Sequence, residues 1–281
     1  MKTLALVALF LATQGHAISQ PKNPIGRYFR RVPIEQAHVT WGQAAKGALP
    51  DTSLDVLVWN VKKGSRGIFP EEFRKFSPDK DLFLIQEAFT AQYFINSLEE
   101  LRDYQWDLGI SFTYRLYNDD GTGNMIGAKV RPVWVKVEHT TDLEPLTRTP
   151  KTTAYAKFSV EGLEKTLLVI SIHGINFKSI KAFSRHLDQV RTHISAHRGP
   201  VILAGDFNTR TKARYREVQA FAQALGLMEV LFKNNHLRMT AVGNDNYLDH
   251  AFIRGFYIRD AEVHPSPGSD HQPMTMKLDF Q

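Results

Sequence analysis

The sequence predicts an α/β fold: a four-layer sandwich of two packed, mixed β-sheets flanked by helices. Two observations point to it. Short apolar runs rich in β-branched and aromatic residues recur along the chain and alternate with amphipathic stretches of helical spacing. In the middle of the chain, several strand-like runs follow one another at hairpin spacing. This mixture is expected of two sheets packed together with helices outside, within one domain.

The strands are predicted from apolar, β-rich runs that stop at a polar residue or a turn. The run LDVLVWN stops at Asn60, DLFLIQE stops at Glu87, and VILA stops at Gly205. The predicted strands are Leu54–Asn60, Asp81–Glu87, Ile110–Tyr114, Asn124–Lys129, Val133–Val137, Ala154–Val160, Thr166–Ile172, Val201–Ala204, Ala251–Arg254 and Met274–Leu278.

The helices are predicted from apolar residues that recur every three or four positions. Between Ile180 and Ile194 this spacing is continuous, and Pro70 stands where a first helical turn tolerates proline. The predicted helices are Pro70–Phe76, Ala91–Leu101, Ser179–His197 and Tyr215–Leu225.

The composition indicates a globular protein with an anionic partner. The 281 residues are 43% hydrophobic and 11% aromatic, enough for a full core. A formal net charge of +6 and a pI of about 9.4 suit nucleic acid, phosphorylated metabolites or a lipid headgroup surface. The chain has no cysteine, which excludes disulfides, zinc–thiolate sites and cysteine nucleophiles. Any metal would have oxygen or nitrogen ligands, which favours Mg²⁺, Mn²⁺ or Ca²⁺.

Residues 1–17 are typical of a secretory signal peptide. Lys2 supplies the charged start, Leu4–Ala12 is an apolar run, and small residues precede a cleavage point after Ala17. A buried N-terminal helix is the alternative. We expect a secreted or periplasmic protein with no stable membrane span after cleavage. Residues 18–50, which contain four prolines, are expected to form an irregular arm, and residues 51–281 to form the main domain as a monomer.

Several predicted strands end in side chains that could serve one site. Carboxylates, amides and imidazoles at successive strand ends meet at one rim when the strands share sheets. Each one alone could equally be a turn residue. The residues are Asn60, Glu87, His173 with Asn176 just beyond it, Asp206 with Asn208, Asp249, and Asp270 with His271.

These residues lie in motifs that resemble those of the endonuclease/exonuclease/phosphatase superfamily, which includes deoxyribonuclease I, the AP endonucleases, neutral sphingomyelinases and inositol-polyphosphate phosphatases. The resemblance covers about residues 51–281 and implies the deoxyribonuclease I-like fold. The motifs are Trp59-Asn60, Gln86-Glu87, His173-x-x-Asn176, Gly205-Asp206-Phe207-Asn208, Leu248-Asp249-His250 and Ser269-Asp270-His271.

The resemblance implies a divalent-metal end of the site. Glu87 matches the metal carboxylate, Asn60 lies beside it, and Asp270 matches a residue at the same end. The implied cofactor is Mg²⁺ or Mn²⁺, with Ca²⁺ as another option.

The resemblance also implies the catalytic residues. Asp206 matches the carboxylate that orients the attacking water, and Asn208 the amide that binds the phosphate. His271 matches the general base or phosphate-binding imidazole, which Asp249 orients. His173 matches the group that contacts the scissile phosphate. A hydrolase needs these parts for in-line attack on a phosphodiester.

The substrate is inferred less directly. Asn176 is expected beside the phosphate, although it could be a turn residue, and Arg148 and Lys151 could approach the phosphate or form a plain basic loop. Arg210 begins a basic cluster, with Lys212, Arg214 and Arg216, that could track a nucleic-acid backbone. We therefore expect a nuclease. The alternatives are a sphingomyelinase, phospholipase C-like or phosphatase activity, and a catalytically silent fold used for binding.

Four of the other histidines are expected to have no part in the site. His250 is expected to be structural because its neighbour Asp249 carries the motif, and His186, His193 and His197 are expected to be solvated on a helix.

Overall fold

The computed structural model describes residues 26–241, 243 and 245–281. The predicted signal peptide and the first residues of the predicted arm lie outside the described residues. Fifteen strands are present in the described part: β1 Phe29–Arg31, β2 His38–Gly42, β3 Ala48–Leu49, β4 Ser53–Asn60, β5 Leu82–Phe89, β6 Gln105–Tyr114, β7 Asp120–Ala128, β8 Trp134–His139, β9 Thr152–Val160, β10 Leu167–His173, β11 Val201–Asp206, β12 Met228–Glu229, β13 Asp249–Arg254, β14 Phe256–Val263 and β15 Met274–Phe280.

The described helices are fewer and lie between the strands. The α-helices are α1 Phe69–Phe76, α2 Gln92–Asn96, α3 Ile180–Ser195 and α4 Lys212–Ala224. Short 3₁₀ turns cover Gly26–Tyr28, Ile34–Gln36, Lys62–Gly64 and Asn235–Leu237. No helix in the described ranges has both the length and the apolar character needed to cross a membrane.

The strands form two mixed sheets. The eight-stranded sheet has the order β1-β6-β7-β5-β4-β15-β14, with β2 also paired to β6. The seven-stranded sheet has the order β12-β13-β11-β10-β9-β3, with β8 also paired to β9. Parallel pairs, β4 with β5 and β10 with β11, stand among antiparallel ones. The predicted four-layer α/β sandwich is therefore confirmed.

Alternation along the strands builds the layers. In β4, Val56 and Val58 face the other sheet, whereas Leu57 and Trp59 face the outer helices, because successive strand residues point to opposite faces. In β11, Ile202 and its even-numbered neighbour Ala204 join the same inner core. This inner core is apolar and holds the two sheets face to face.

The outer helices cover the other faces. Phe69 and Phe73 of α1 are fully buried, and the ring centroid of Phe69 lies 5.7 Å from that of Trp59. On the other sheet, Phe183 of α3 and Phe221 of α4 are buried in a cluster with the outward-facing residues of β10 and β11. Helices α3 and α4 are therefore fixed over the strands whose last residues carry the predicted site.

The described part of the predicted irregular arm contains regular structure. Strands β1 and β2 pair antiparallel with β6, and β3 pairs parallel with β9. The arm was expected to be irregular because its prolines obscured these runs. Pro33 lies between β1 and β2 and Pro50 follows β3, where proline costs no ladder hydrogen bond.

Other elements also differ from the sequence predictions, since β12 was not predicted and β6 and β7 begin earlier than expected. The helix predicted over Ala91–Leu101 ends at Asn96, and the chain continues in turns whose amides bond three residues back, as from Leu98 to Ile95. Strand β14 was missed because Arg259 and Asp260 interrupt its apolar pattern. Those residues lie at a register shift between Ile258 and Asp260, in a strand whose side chains are mostly part-exposed.

Candidate active site

The predicted site residues meet at one end of the sandwich. His173 and Asp206 are register partners at the ends of parallel β10 and β11, and Asp206 is opposite Asp249 at the start of β13. Asn60 ends β4 in the other sheet, and its Nδ2 donates to Asp206 Oδ2 at 3.1 Å. The rim thus contains residues from both sheets, as the strand ends predicted.

A β-bulge directs Glu87 into this rim. The register of β5 against β7 shifts between Ile85 and Ala88, so that two residues of β5, Gln86 and Glu87, stand where one would pair. Glu87 has φ of 52°, which is unusual for a non-glycine residue. Bulges of this kind re-aim a side chain next to active sites. The buried amide of Gln86 instead donates to Ser171 Oγ of the other sheet at 3.0 Å.

Buried polar residues join the sheets beneath the rim. Asn124 Nδ2 of β7 donates to the carbonyls of Thr152 and Ser171, at 2.6 and 3.1 Å, across the gap between the sheets. The hydroxyls of Ser111 and Thr152 lie 2.8 Å apart. We call this set, Gln86, Ser111, Asn124, Thr152 and Ser171, the polar seam. Its members were not singled out from sequence, because nothing local distinguishes a buried Asn or Thr from a turn residue.

Asp206 is the centre of the site. Its Oδ1 accepts from the backbone N–H of Asn208 at 2.9 Å, and its Oδ2 accepts from Asn60. Asn208 has φ of 54°, and its Nδ2 donates to the carbonyl of Gly174 at 3.0 Å. Gly205 has φ of 144°, and a Cβ there would overlap the carbonyl oxygen of Ile172, so glycine is required before the aspartate.

His271 and Asp249 form a buried charged pair. His271 Nδ1 lies 2.9 and 2.8 Å from the two carboxylate oxygens of Asp249. Burial alone would lower the pKa of His271, but the charge of Asp249 outweighs it and raises that pKa to about 10. Trp59 Nε1 donates to the carbonyl of His271 at 2.9 Å, and Arg238 donates to the carbonyl of Asp249. The raised pKa keeps the imidazole of His271 protonated at neutral pH.

His173 has the opposite protonation state. Its Nε2 lies 2.9 Å from Lys151 Nζ and 3.3 Å from Asp206 Oδ2. Burial, and then the charge of Lys151, lowers the pKa of His173 to about 3. The neutral ring therefore accepts from Lys151. Lys151 thus lies inside the site, with its ammonium against His173.

The residues that the family resemblance assigns to a metal carry oxygen donors. Glu87 and Asp270 are carboxylates and Asn60 is an amide, and oxygen atoms of these kinds are preferred ligands of Mg²⁺ and Mn²⁺. Glu87 contacts Lys63, and Asp270 Oδ2 lies 2.6 Å from Lys62 Nζ. Burial would raise the pKa of Glu87, but Lys63 holds it well below its usual range, so the carboxylate is ionised. The oxygen donors of Glu87, Asp270 and Asn60 fit a divalent cation, and the two carboxylates form ion pairs with lysines.

A second group in the described part of the chain also suits a cation. Ligand atoms of Asp206, Asp249 and His271, all buried, lie within 4.8 Å of one another. The family resemblance instead implies catalytic roles for these three residues and metal binding for Glu87, Asn60 and Asp270.

The substrate-binding predictions have mixed results. Asn176 Oδ1 accepts from the backbone of Phe177 at 2.9 Å and from Arg210 Nε at 2.8 Å, so Asn176 forms a turn and also holds Arg210 at the rim. Arg148 is exposed with φ of 59°, and its carbonyl accepts from Arg31. The bonds that fix Arg148 are thus made by its backbone, and no described contact brings its guanidinium to the site.

The predicted basic cluster is divided by the fold. Arg214 is buried and donates to the carbonyls of Ile175, Asn208 and Lys178 at 2.7 to 3.1 Å. Its guanidinium therefore braces the loops under the site and does not face a ligand. Helix α4 has a buried face and an exposed face, so basic residues that are neighbours in sequence do not all lie on one surface.

Two of the histidines expected in solvent are buried. His186 accepts from the backbone of Ile175 and contacts Thr153 Oγ1 at 2.9 Å, and burial lowers its pKa to about 4. His197 is also buried. His250 is structural as expected, because it lies between Glu229 and Thr209.

Sequence reasoning missed Lys62 and Lys63 as parts of the site. Their position directly after the Trp59-Asn60 motif was the signal that could have identified them. Ser269 was likewise unassigned, although its hydroxyl donates to the carbonyl of Asn60 at 2.7 Å.

Comparison with known proteins finds matches in sequence and in structure. The model of the Endonuclease/Exonuclease/phosphatase family matches residues 57–271. A UPF0294 protein of Yersinia enterocolitica is 32% identical over 260 residues, covering 90% of this chain and 96% of its own length. A UPF0294 protein of Vibrio campbellii is 31% identical over 229 residues, 81% of this chain and 78% of its own length.

Solved structures agree on the fold. An endonuclease/exonuclease/phosphatase of Beutenbergia cavernae has a TM-score of 0.64 at 15% identity, covering 82% of this chain and 72% of its own. D. rerio TDP2, complexed with single strand DNA product, has a TM-score of 0.56 at 16% identity, covering 81% and 99%. The human Nocturnin catalytic domain, with bound sulfate, has a TM-score of 0.56 at 12% identity, covering 89% and 100%.

Proposed function

Because the chain belongs to the endonuclease/exonuclease/phosphatase family, whose members are typically phosphoric ester hydrolases, we propose that it is a divalent-metal-dependent phosphodiesterase, specifically a nuclease. The observation that carries this proposal is the environment of Asp206. One buried carboxylate accepts hydrogen bonds from Asn60 and Asn208 and lies between His173 and His271. A site with each of these positions filled supports catalysis over a silent binding role.

The residues divide the work of water attack on phosphorus. Asp206 orients the water and accepts its proton as the new P–O bond forms, while the P–O bond to the leaving oxygen breaks and that oxygen departs as an oxyanion that takes a proton from solvent. Its two hydrogen bonds hold the carboxylate in one orientation, which limits the entropy lost on reaching the transition state. Asn208 donates one hydrogen of its side-chain amide to the carbonyl of Gly174 and the second to a phosphate oxygen.

His271 stabilises the developing negative charge. Its Nδ1 proton is held by Asp249, so its Nε2–H is the donor that faces the phosphate, 3.9 Å from Asp206. Lys151 adds a positive charge at the other side, next to neutral His173. A divalent cation bound by Glu87 and Asp270 would neutralise phosphate oxygens and the leaving oxygen.

A nucleic acid is the proposed substrate because positive charge accompanies the site. The chain has a net charge of +6, and Arg210 is fixed at the rim by Asn176. Cations beside the scissile phosphate can hold neighbouring phosphates of a polyanion. The solved TDP2 structure, which shares this fold, is a complex with a single strand DNA product, and this also supports the substrate class proposed here.

A substrate panel tests the proposal. Plasmid DNA, single-stranded DNA, RNA, sphingomyelin and a phosphomonoester are each incubated with Mg²⁺, Mn²⁺ or Ca²⁺ and with EDTA. We expect cleavage of a nucleic acid that EDTA abolishes. Asp206→Asn should be inactive, and Lys165→Gln, a change just before β10, should keep full activity. Cleavage of sphingomyelin or the monoester alone would refute the nuclease assignment, and no cleavage at all would favour a binding role.

We also propose that the protein is exported. The motivation is the signal-like residues 1–17. N-terminal sequencing of protein from the native host should give a start at Ile18. An intact Met1 in the cytosolic fraction would contradict export.

A further inference from the structure

The two lysines that follow β4 each contact a carboxylate of the metal end. Lys62 Nζ lies 2.6 Å from Asp270 Oδ2, and Lys63 Nζ contacts Glu87 Oε2. The two acids come from different elements, the bulge of β5 and the loop before β15. One dipeptide therefore supplies a cation to each of the two carboxylates that the family resemblance assigns to a metal.

The backbone holds this dipeptide in a conformation that non-glycine residues rarely adopt. Lys62, Lys63 and Gly64 have φ values of 48°, 64° and 59°. The left-handed region is costly for side chains with a Cβ, so the surroundings must fix it. Asn60 Oδ1 accepts from the backbone of Lys62 at 3.1 Å, and Tyr93 donates its hydroxyl to the carbonyl of Lys63 at 2.8 Å.

The two ion pairs differ in their contact with solvent. The side chains of Lys63 and Glu87 are 24% and 26% exposed, whereas those of Lys62 and Asp270 are 42% and 34% exposed. Water screens the Lys62 pair more strongly. The Lys63 pair is therefore the stronger one.

We propose that Lys63 is an internal counter-ion that a divalent cation must displace from Glu87, and that Lys63 thereby determines how tightly this site binds metal. The proposal rests on the proposed metal-dependent function only for the identity of Glu87 as a ligand. A cation bound to Glu87 at about 2.0–2.6 Å would stand next to the ammonium, and like charges at that separation repel strongly. Metal binding therefore requires that Lys63 leave the carboxylate.

The test measures metal binding without substrate. Mn²⁺ and Mg²⁺ are titrated by calorimetry into the full chain and into Lys63→Met, which keeps most of the side-chain length, carries no charge and offers only a soft thioether that Mg²⁺ and Mn²⁺ do not favour. We expect the Kd for Mn²⁺ to fall by roughly tenfold or more, because an ion pair of this exposure opposes binding in the wild type. Mn²⁺ paramagnetic resonance gives an independent count of bound ions.

Three matched variants make the result specific. Lys63→Arg keeps the positive charge and should keep the weak affinity. Lys62→Met removes the more exposed partner and should tighten binding less. Lys165→Gln removes one charge at the opposite end of β10, about 20 Å away at about 3.3 Å per strand residue, and should leave the Kd unchanged.

A coupled variant locates the effect at Glu87. In a Glu87→Gln background, Lys63→Met should no longer tighten binding, because the competition has been removed. An unchanged or weaker Kd in Lys63→Met, or equal tightening by Lys165→Gln, would overturn the proposal. If Lys63→Met does not fold by circular dichroism, the comparison of Lys63→Gln with Lys63→Arg decides in its place. Tightened metal binding with no hydrolysis of any substrate would sustain this inference and refute the nuclease.

Discussion

Replacing Asp249 by asparagine tests the charged pair at the centre of the site. The carboxylate and His271 are 5% and 9% exposed, and the pKa of His271 rises from the ordinary 6.5 to about 10. Asp249 is the largest of the charges that favour the imidazolium in the folded state, and Asp206 and Asp270 add to it. Removing one partner of a buried pair costs about 3–5 kcal/mol. We expect Asp249→Asn to lower the free energy of unfolding by about that amount at pH 6.

The loss should depend on pH in a defined direction. Because folding raises the pKa of His271, its protonation stabilises the native state fully below pH 6.5. This contribution is lost as the pH rises towards 10. The gap between wild type and Asp249→Asn should therefore be largest at pH 6 and should narrow by pH 9.5. The assay is urea unfolding with EDTA at both pH values, with Lys165→Gln as the control. Equal midpoints at pH 6, or a gap that does not change with pH, would refute the assigned charge state of His271.

Glu87→Gln should lose activity that partly returns at high Mg²⁺ or Mn²⁺, whereas His271→Ala should lose roughly 10²–10⁴-fold at every metal concentration. Rates across a metal titration check this, and rescue of His271→Ala by metal would contradict it. Arg210→Ala with Lys212→Ala should raise KM and flatten the salt dependence while kcat is largely kept, and an unchanged salt slope would indicate a small substrate. Arg214→Ala should instead lower the free energy of unfolding by about 3 kcal/mol, because three buried carbonyls lose their donor. Urea unfolding measures this, and a curve identical to that of the wild type would contradict a structural role for Arg214.

Strand ends were predictable because apolar runs have clear limits. The runs that end at Asn60, just before His173 and just before Asp206 bring these side chains to one rim, since parallel neighbours bring their carboxyl ends together. The distances between these side chains could not be predicted from the strand ends alone, because they depend on both sheets. The contact of Asn60 with Asp206 joins residues 146 positions apart and depends on how two sheets dock.

Features that depend on pairing were not predictable from one sequence. The bulge at Glu87 exists only relative to β7, and no local pattern distinguishes it from an ordinary strand end. Lys62 and Lys63 look like any basic loop until their acidic partners are in place. Arg214 and His186 are buried by loops from elsewhere in the chain, so their charge and polarity misled the sequence prediction towards solvent.

The polar seam has a consequence for how precisely the two halves of the molecule align. Apolar faces attract without direction, so two such sheets alone would tolerate small translations over each other. The side-chain N–H groups of Asn124 and Gln86 reach acceptors in the other sheet in this alignment, and a shift of the sheets would break those buried hydrogen bonds at a high cost. One alignment of the two sheets is therefore favoured. The interior of the protein thus sets the position of Asn60 against Asp206 before any phosphate or cation binds.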